Sequence, residues 1–596
     1  MKLLMLERCP LSRLVFDIET DLIPPTKIWC IVANDIDTKE QHVFRPDELD
    51  EGISLLQQAD MLIGHNILGF DIPAIKKIKG VDLDKDKKIV DTLVLSRLFN
   101  PSREGRHTLD SWGSRLGLKK ISFDDYSQFS EDMLTYCKRD VDLNCKVYER
   151  LCLESEGFSN TSIKLEHDVL RAVTKQIEKG FVLDYKYTDL LLAEMLDKMD
   201  LAKREVHKVF KPKVSSVRIH SKRVKGGGLS KLGAVEGLDK SVKLTDEEFK
   251  LIEKGPITRF EVTDFNLGSH AQIGEYLMDF GWEPKEFTPT GRPKVDGNVL
   301  MSIKDIPEAE LISDYLTYQK REGLLRSWLK NYNDKTGRVH GGVNTNGTIT
   351  GRMSHIQPNV GQVVSSSSPY GKECRSCWTV PENYKLVGVD ASQLELRMLA
   401  HYMKDENYTN EIINGDIHTA NQKLAGLESR NQAKTFIYTL LYGGSARRLG
   451  EVVGGSQKDG SRLRERFFNN LPSFTTLRHA VERAAERGFI KGLDGRKVLI
   501  RAKHAAFNSL LQSAGSIVMK KALVILDSKF KELYPNEDIS IVANVHDEWQ
   551  IESPEHVADA VGQLGVQSIK DAGIYFKLNC PMDGEYHVGT NWSETH

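Results

Sequence analysis

Lys385-Leu386-Val387-Gly388-Val389-Asp390-Ala391-Ser392-Gln393-Leu394-Glu395-Leu396-Arg397 reads as a strand that ends in Asp390, followed by the start of a helix. Asp390 is then either a turn residue or a carboxylate held at a strand end. Ser392 and Glu395 have the S-x-x-E spacing of a capping box, which gives Glu395 a purely structural reading. Farther along, Arg430, Lys434, Tyr438 and Tyr442 recur at every fourth position, so at 3.6 residues per turn they occupy one slowly rotating helix face. Two cations followed by two aromatics suit a phosphate tail at one end and a ring at the other. The alternative is a half-buried helix with snorkelling basic side chains. Val545-His546-Asp547-Glu548-Trp549 lies between two β-like runs and, taken alone, is the polar tip of a hairpin.

A second acidic set lies near the amino terminus. Residues 14–20 alternate like a strand, with Leu14, Phe16 and Ile18 on one face and Asp17 and Glu19 together on the other. Adjacent carboxylates repel unless a positive charge sits between them, and a divalent cation is the usual solution. Short strands are expected at 29–34 and 61–64, and helices at 72–79 and 131–152. Asp71 stands just before the first of these helices. Asp140 lies in the second, with Tyr136 one turn earlier on the same side. Read singly, Asp17 and Glu19 face solvent, Asp71 caps a helix and Asp140 is a surface acid.

The rest of the chain is organised around these two sets. An α/β unit of about 150 residues gives way to a long amphipathic helix over 163–210. Residues 208–231 carry eight Lys or Arg, no Asp or Glu, and Gly226-Gly227-Gly228, a composition that reads as a flexible basic loop. Helical patterning resumes over 270–330. A turn-rich stretch follows at 341–351, then the strand at 385–389, a mainly helical region over 392–490 and a hairpin at 541–551. The 596 residues exceed one core and imply three to five domains. Hydrophobic residues at 40% and charged residues at 28% describe an ordinary soluble globular protein. With 82 Lys and Arg against 84 Asp and Glu, the chain is not a basic nucleic-acid coat, although a DNA enzyme with acidic metal sites stays open. Eight irregularly spaced cysteines argue against a disulfide scaffold. Cys374 and Cys377 have no second pair to complete a zinc site. No stretch approaches a membrane span, and Glu7 and Arg8 interrupt the apolar start Met1–Leu6, so an intracellular protein is expected.

Together the motifs carry a resemblance. D-I-E at 17–19, H-N-x-x-x-F-D at 65–71 and Y-x-x-x-D at 136–140 resemble the 3′-to-5′ proofreading exonucleases over about residues 12–150. The 385–397, 430–444 and 545–549 segments resemble motifs A, B and C of the family A DNA polymerases. Asn346–Arg352, Gly415–Thr419, Lys491–Lys497 and Asn508–Gly515 extend the likeness, which is nearest to the replicative polymerases of T-seven-type short-tailed bacteriophages. The resemblance implies a multidomain α/β and α+β architecture: a ribonuclease H-like exonuclease over 1–155, and a right-hand polymerase. Its thumb would span 156–345 with a basic insert over about 208–265, its palm 346–402 and 508–596, and its fingers 403–507.

The resemblance also implies roles. Asp17, Glu19, Asp71 and Asp140 would hold two Mg²⁺ ions roughly 3.5–4 Å apart, with Tyr136 orienting the attacking water. Asp390, Asp547 and the carbonyl of Ala391 would hold two more at the polymerase site. His418, Arg430 and Lys434 would take the triphosphate, Tyr438 would pack near the sugar, and Tyr442 near the templating position. Glu395 would close the space of a ribose 2′-hydroxyl. Arg352, Gln512 and His546 would touch primer-template DNA, with His504 and Glu548 in the same neighbourhood. Tyr rather than Phe at 438 implies weak discrimination against dideoxynucleotides. The implied partners are primer-template, deoxynucleotides, host thioredoxin through the 208–265 insert and a phage helicase-primase near 591–596, in the cytoplasm of an infected bacterium. The insert is shorter than its counterparts, and direct phosphate contact by its basic run stays open as an alternative. Three rivals have less support: a nuclease with an inert polymerase half, a non-enzymatic primer-template binding factor, and a single-subunit RNA polymerase.

Overall fold

The computed structural model describes residues 12–224 and 226–596, so the apolar start Met1–Leu6 lies outside the described residues. Two compact units result. One takes in the chain up to Asp184 together with Asn331–Ser366 and Gly371–His596; the other is Tyr185–Lys330 with Ser367–Tyr370.

The larger unit contains two sheets that matter for chemistry. The first has five strands in the order Gln41–Phe44, Ile28–Asp35, Arg13–Thr20, Met61–Gly64, Lys88–Asp91. Arg13–Thr20 is central, antiparallel to Ile28–Asp35 and parallel to Met61–Gly64. Helices cover both of its faces, so Leu14, Phe16 and Ile18 enter one apolar cluster and Val15 another with Leu134, Cys137 and Val141 of the helix Glu131–Glu154. Asp17 and Glu19 share the face of Val15, which is why they meet that helix and not solvent.

The second sheet runs Ser540–Val545, Glu548–Pro554, Tyr384–Ala391, Gly584–Gly589, antiparallel throughout. The helices Ala506–Leu533 and Ala558–Tyr575 belong to its core, and helical segments from Leu394 to Ala485 join the same cluster. The helix over Lys503–Leu533 is long and apolar enough to cross a membrane by length and composition, an exception to the expectation that no stretch comes near; 67% of that window is buried within the fold, as in a core helix. Where this helix meets the helix Asn160–Lys179, four charges are buried together: Lys520 contacts Glu166 at 2.7 Å, and Arg496 contacts Glu166 and Asp494, each at 2.6 Å.

The single helix expected over 163–210 is two. Gly180, at φ 68°, ends Asn160–Lys179, and the strand Phe181–Leu183 separates it from the helix Tyr185–Val209. With ψ at 167°, Gly180 holds a positive-φ extended conformation that essentially only glycine adopts, so the helix cannot continue through it. Asn160–Lys179 packs into the larger unit, and Tyr185–Lys330 forms most of the smaller one. In the smaller unit Tyr185–Val209 packs along the helix Glu308–Lys330.

The expectation of a flexible basic loop over 208–231 is overturned. Lys213–Arg223 and Leu229–Val235 form a hairpin within a four-stranded antiparallel sheet completed by Ser241–Lys243 and Ile257–Thr263. Ile219, Leu244 and Ile252 make its small core. Charge density masked the alternation: Val217 and Ile219 share one strand face while the basic residues go to water.

Two candidate active sites

At the polymerase-like site the strand Tyr384–Ala391 delivers Asp390 and the hairpin delivers Asp547. Val545 pairs with Glu548, leaving His546 and Asp547 as a two-residue turn, with His546 at φ 58°. The Ala391 amide donates to the Asp547 carbonyl at 3.1 Å, fixing the two acidic segments against each other. Burial, then the charges of Asp547 and Glu548, push the Asp390 carboxyl up to about 7. Burial and the charge of Glu395 also raise Asp547. Among the described residues no cation forms an ion pair with either aspartate, and the charges of His596, His546 and Arg352 offset the shifts only in part, so the pair fits a divalent ion.

Glu395 does not cap its helix. That helix starts at Leu394 after Gln393 in the left-handed conformation, with no side-chain cap, so the capping-box expectation for Ser392 and Glu395 fails. Its carboxylate instead receives Arg352 at 2.8 Å and the Tyr442 hydroxyl at 3.3 Å. Opposite stands the helix Arg430–Leu441, started by a capping box of Ser429 and Gln432. Arg430 pairs with Asp416 at 2.6 Å, and Asp416 also accepts from the His418 amide at 3.1 Å. His418 has an Nδ1 that is buried without a hydrogen-bond partner among the described residues; burial and the charges of Arg430 and Lys434 lower its pKa. The ring of Tyr438 lies 6.3 Å from that of His418 and 6.2 Å from that of Tyr442. Burial, then the charge of Glu395, pushes both phenols up to about 12. Arg352 and His546 line one small cavity with Ser516, and Gln512 stands one turn before Ser516. His504 is exposed on the short helical turn Lys503–Ala505.

Glu548 is buried and points away from the cleft, into a network with Trp592, Gln550 and the carboxy-terminal His596, which it meets at 2.8 Å. Burial pushes its pKa up, but His596, Gln550 and Arg375 outweigh that and hold it down. It is thus a buried acid whose oxygens are paired within the fold. His596 also lowers Asp390 electrostatically, and nothing in the sequence pattern singled it out.

At the amino-terminal site the Ile18 amide donates to Asp71 at 3.2 Å, drawing the first residue of the helix Asp71–Lys79 against the central strand. Asp17, Glu19 and Cys137 bring ligand atoms within 4.8 Å of one another. Burial dominates every shift here. Asp17 is raised well above the carboxylate range, Glu19 to about 9 and Asp71 to about 7; Asp140 is raised as well. Asp140 keeps one oxygen, Oδ1, buried without a hydrogen-bond partner among the described residues. A carboxylate oxygen without a donor, clustered with three other acids, is a hard oxygen ligand set, so these residues fit Mg²⁺. Sequence reading missed Lys120, whose ammonium meets Asp140 at 2.6 Å and lies 4.6 Å from the centre of the Tyr136 ring. It comes from an irregular loop with no motif around it.

The cleft thus sets two carboxylates on a central antiparallel sheet opposite a helix that carries two cations and Tyr438 and is capped by Tyr442. The chain belongs to DNA polymerase family A, whose sequence profile matches residues 235–594. It is 30% identical to the DNA-directed DNA polymerases of Enterobacteria phage T3 and Escherichia phage T7, over 98% of this chain and 100% of each relative. Among solved structures, the POL domain of Pol1 from M. smegmatis, in complex with DNA primer-template and dNTP, shares the fold with a TM-score of 0.76. The two are 18% identical, and the match covers 98% of this chain and 96% of that one. The protein is a DNA-dependent DNA polymerase of the phage type.

Proposed function

We propose that this polymerase extends primers on a DNA template and also removes nucleotides from the primer 3′ end in its amino-terminal unit, replicating a phage genome in the bacterial cytoplasm. The observation that carries the second activity is the gathering of half-buried Asp17 and buried Glu19, Asp71 and Asp140 around one cleft, with Tyr136 beside them. The alignments with the phage polymerases cover 98% of the chain, so they take in this acidic unit.

Asp17, Glu19, Asp71 and Asp140 would hold one pair of Mg²⁺ ions, and Asp390, Asp547 and the Ala391 carbonyl another. Such ions supply charge stabilisation of the attacking and leaving oxygens. The residues of the chain do the rest. Tyr136 positions a water at the exonuclease site. At the polymerase site Arg430, Lys434 and His418 hold the triphosphate, whose charge replaces that of Asp416 on Arg430. Tyr438 stacks beside the sugar, Tyr442 holds the templating position, and Glu395 denies room to a 2′-hydroxyl. Arg352, Gln512 and His546 grip the primer-template.

Two readings of the insert have support. Val214, Phe260 and Val262 lie exposed on one two-stranded ribbon, which favours a protein partner such as thioredoxin. The basic hairpin favours duplex contact. A helicase-primase meeting the carboxy-terminal segment would find Ser593 and Glu594, since Trp592 and Thr595 are buried.

The deciding assay uses a 5′-labelled primer on a longer template with Mg²⁺, with and without deoxynucleotides. Extension is expected with them and shortening without them. Asp547→Ala should abolish only extension, and Asp17→Ala only shortening. No shortening by wild-type protein in the absence of nucleotides would overturn the exonuclease.

A further inference from the structure

The larger unit holds a second cavity, of about 540 Å³, that shares no lining residue with the cleft of Asp17. Its size is that of a site for one small molecule. It lies along the edge strand Lys88–Asp91, the first turns of the helix Asn160–Lys179, the helix Ala506–Leu533 at Lys521 and the end of the helix Ala558–Tyr575.

The charges around this cavity do not balance. Asp168 is the acid of its lining, and it is already taken by Lys164 at 2.6 Å and Arg171 at 3.0 Å. Arg171 also holds Asp84 at 2.7 Å, and Lys87 donates to the backbone carbonyls of Gln57 and Ala59. Lys88 and Lys521 are left over. Lys88 is half-buried, and its ammonium makes no hydrogen bond or ion pair among the described residues. Lys521 is also half-buried and makes none there either; its ammonium lies 4.0 Å from the centre of the Tyr575 ring. Burial, then the charge of Arg13, lowers the pKa of Lys88. Burial lowers Lys521 too, with Asp168 opposing and Lys164 adding to it. A cation withdrawn from water with no anion against it is costly, and a bound anion relieves that cost.

The aromatic lining narrows the kind of anion. Tyr575 is 51% exposed at the last position of its helix, and Phe576 meets it edge to face with ring centres 5.0 Å apart. Ring surface beside uncompensated cations suits a nucleotide, whose base packs on the rings while its phosphate meets the charge. A phosphate monoester brings about two negative charges at neutral pH, enough for both lysines. A single carboxylate would answer one lysine and leave the rings uncovered.

We propose that this cavity is a non-catalytic nucleotide site, separate from both acidic sites, that binds one nucleoside 5′-phosphate. Lys88 and Lys521 take the phosphate, and Tyr575 and Phe576 the base. Lys88 belongs to the sheet of Asp17 and Lys521 to a core helix of the sheet of Asp390, so the bound nucleotide bridges the supports of the two candidate active sites.

The test is protection of lysines from acetic anhydride, read residue by residue by mass spectrometry on the full chain in EDTA. Deoxythymidine monophosphate should protect Lys88 and Lys521 together, and thymidine should protect neither. In calorimetric titrations Lys88→Gln and Lys521→Gln should each weaken that nucleotide roughly ten- to a hundred-fold, the range of a lost hydrogen bond to a charged group. Lys88→Arg should retain most of the affinity, and Tyr575→Ala should weaken the nucleotide but not inorganic phosphate. Both glutamine variants should extend a primer at the wild-type rate, which shows that they fold. Deoxythymidine triphosphate run in parallel identifies the occupant, since the tighter-binding of the two is the form the cavity selects. Protection of Lys434 alone, or wild-type affinity in both extending variants, overturns the proposal. Inorganic phosphate that protects both lysines as well as the nucleotide does overturns the part assigned to the base.

Discussion

The hydroxyl of Tyr438 is a proton donor at any working pH, because burial and Glu395 keep the phenol up at about 12. If that hydroxyl replaces a missing 3′-hydroxyl on the incoming nucleotide, Tyr438→Phe should raise discrimination against dideoxynucleotides by about 10- to 100-fold, the equivalent of about 1.4–2.8 kcal/mol. Competition between dideoxy- and deoxythymidine triphosphate on one template measures it. Asp390 carries a second residue-level expectation. Its folded pKa of about 7 lies above the model-peptide value of 3.8, so between those values the folded protein binds the proton more tightly than the unfolded chain. The cost of ionising it is absent below about pH 4, grows toward pH 7 and is complete above that. In EDTA the melting temperature should therefore fall between pH 5 and pH 8. Asp390→Asn should flatten the slope, and Mg²⁺ should recover stability most at the higher pH.

At the scale of elements, the contact between the helices Asn160–Lys179 and Ala506–Leu533 rests on buried charge. Glu166 serves both Lys520 and Arg496, and none of the three is more than 3% exposed. Burial dominates Lys520 and lowers it to about 8 even beside Glu166. Glu166→Gln leaves two buried cations with Asp494 alone, so it should destabilise by about 3–5 kcal/mol, read from denaturant unfolding. Glu166→Asp should lose less. Elements were mostly legible in the sequence where one period dominated. The strand of Asp17 and Glu19, the helix of Tyr136 and Asp140 and the helix of Arg430 to Tyr442 all form as their spacing predicts. The failures have separate causes. Gly180 stops a helix that amphipathicity alone would continue, and Gln393 in the left-handed conformation displaces a cap that spacing alone would assign. In the 208–231 stretch, lysines and arginines conceal a strand whose Val217 and Ile219 face a small core while Val214 lies exposed on the other face.

For the whole molecule, the question is how a chain with net charge −2 holds a polyanion. Its basic residues must be concentrated, and the hairpin of Lys213–Arg223 and Leu229–Val235 concentrates them without an intervening acid. If Lys222, Arg223 and Lys231 each neutralise a phosphate, changing all three to Gln should reduce the slope of log affinity against log salt by about 2.7. An unchanged slope, with processivity that rises on adding thioredoxin, would assign the insert to a protein partner. What the sequence by itself determined is the inventory of both sites: the paired acids at two-residue spacing, the four-residue ladder of cations and tyrosines, and the hairpin acid at 547. Local periodicity placed these residues on their strands and helices, and the resemblance of their motifs to a known family is what marked them as site residues. Only the tertiary structure decided which other groups share those sites. Lys120 reaches Asp140, Arg352 reaches Glu395, Asn346 reaches the cleft of Asp17, and His596 reaches Glu548. Electrostatics and hydrogen bonding depend on distance in space, and separations of twenty to several hundred residues leave no periodic trace of it.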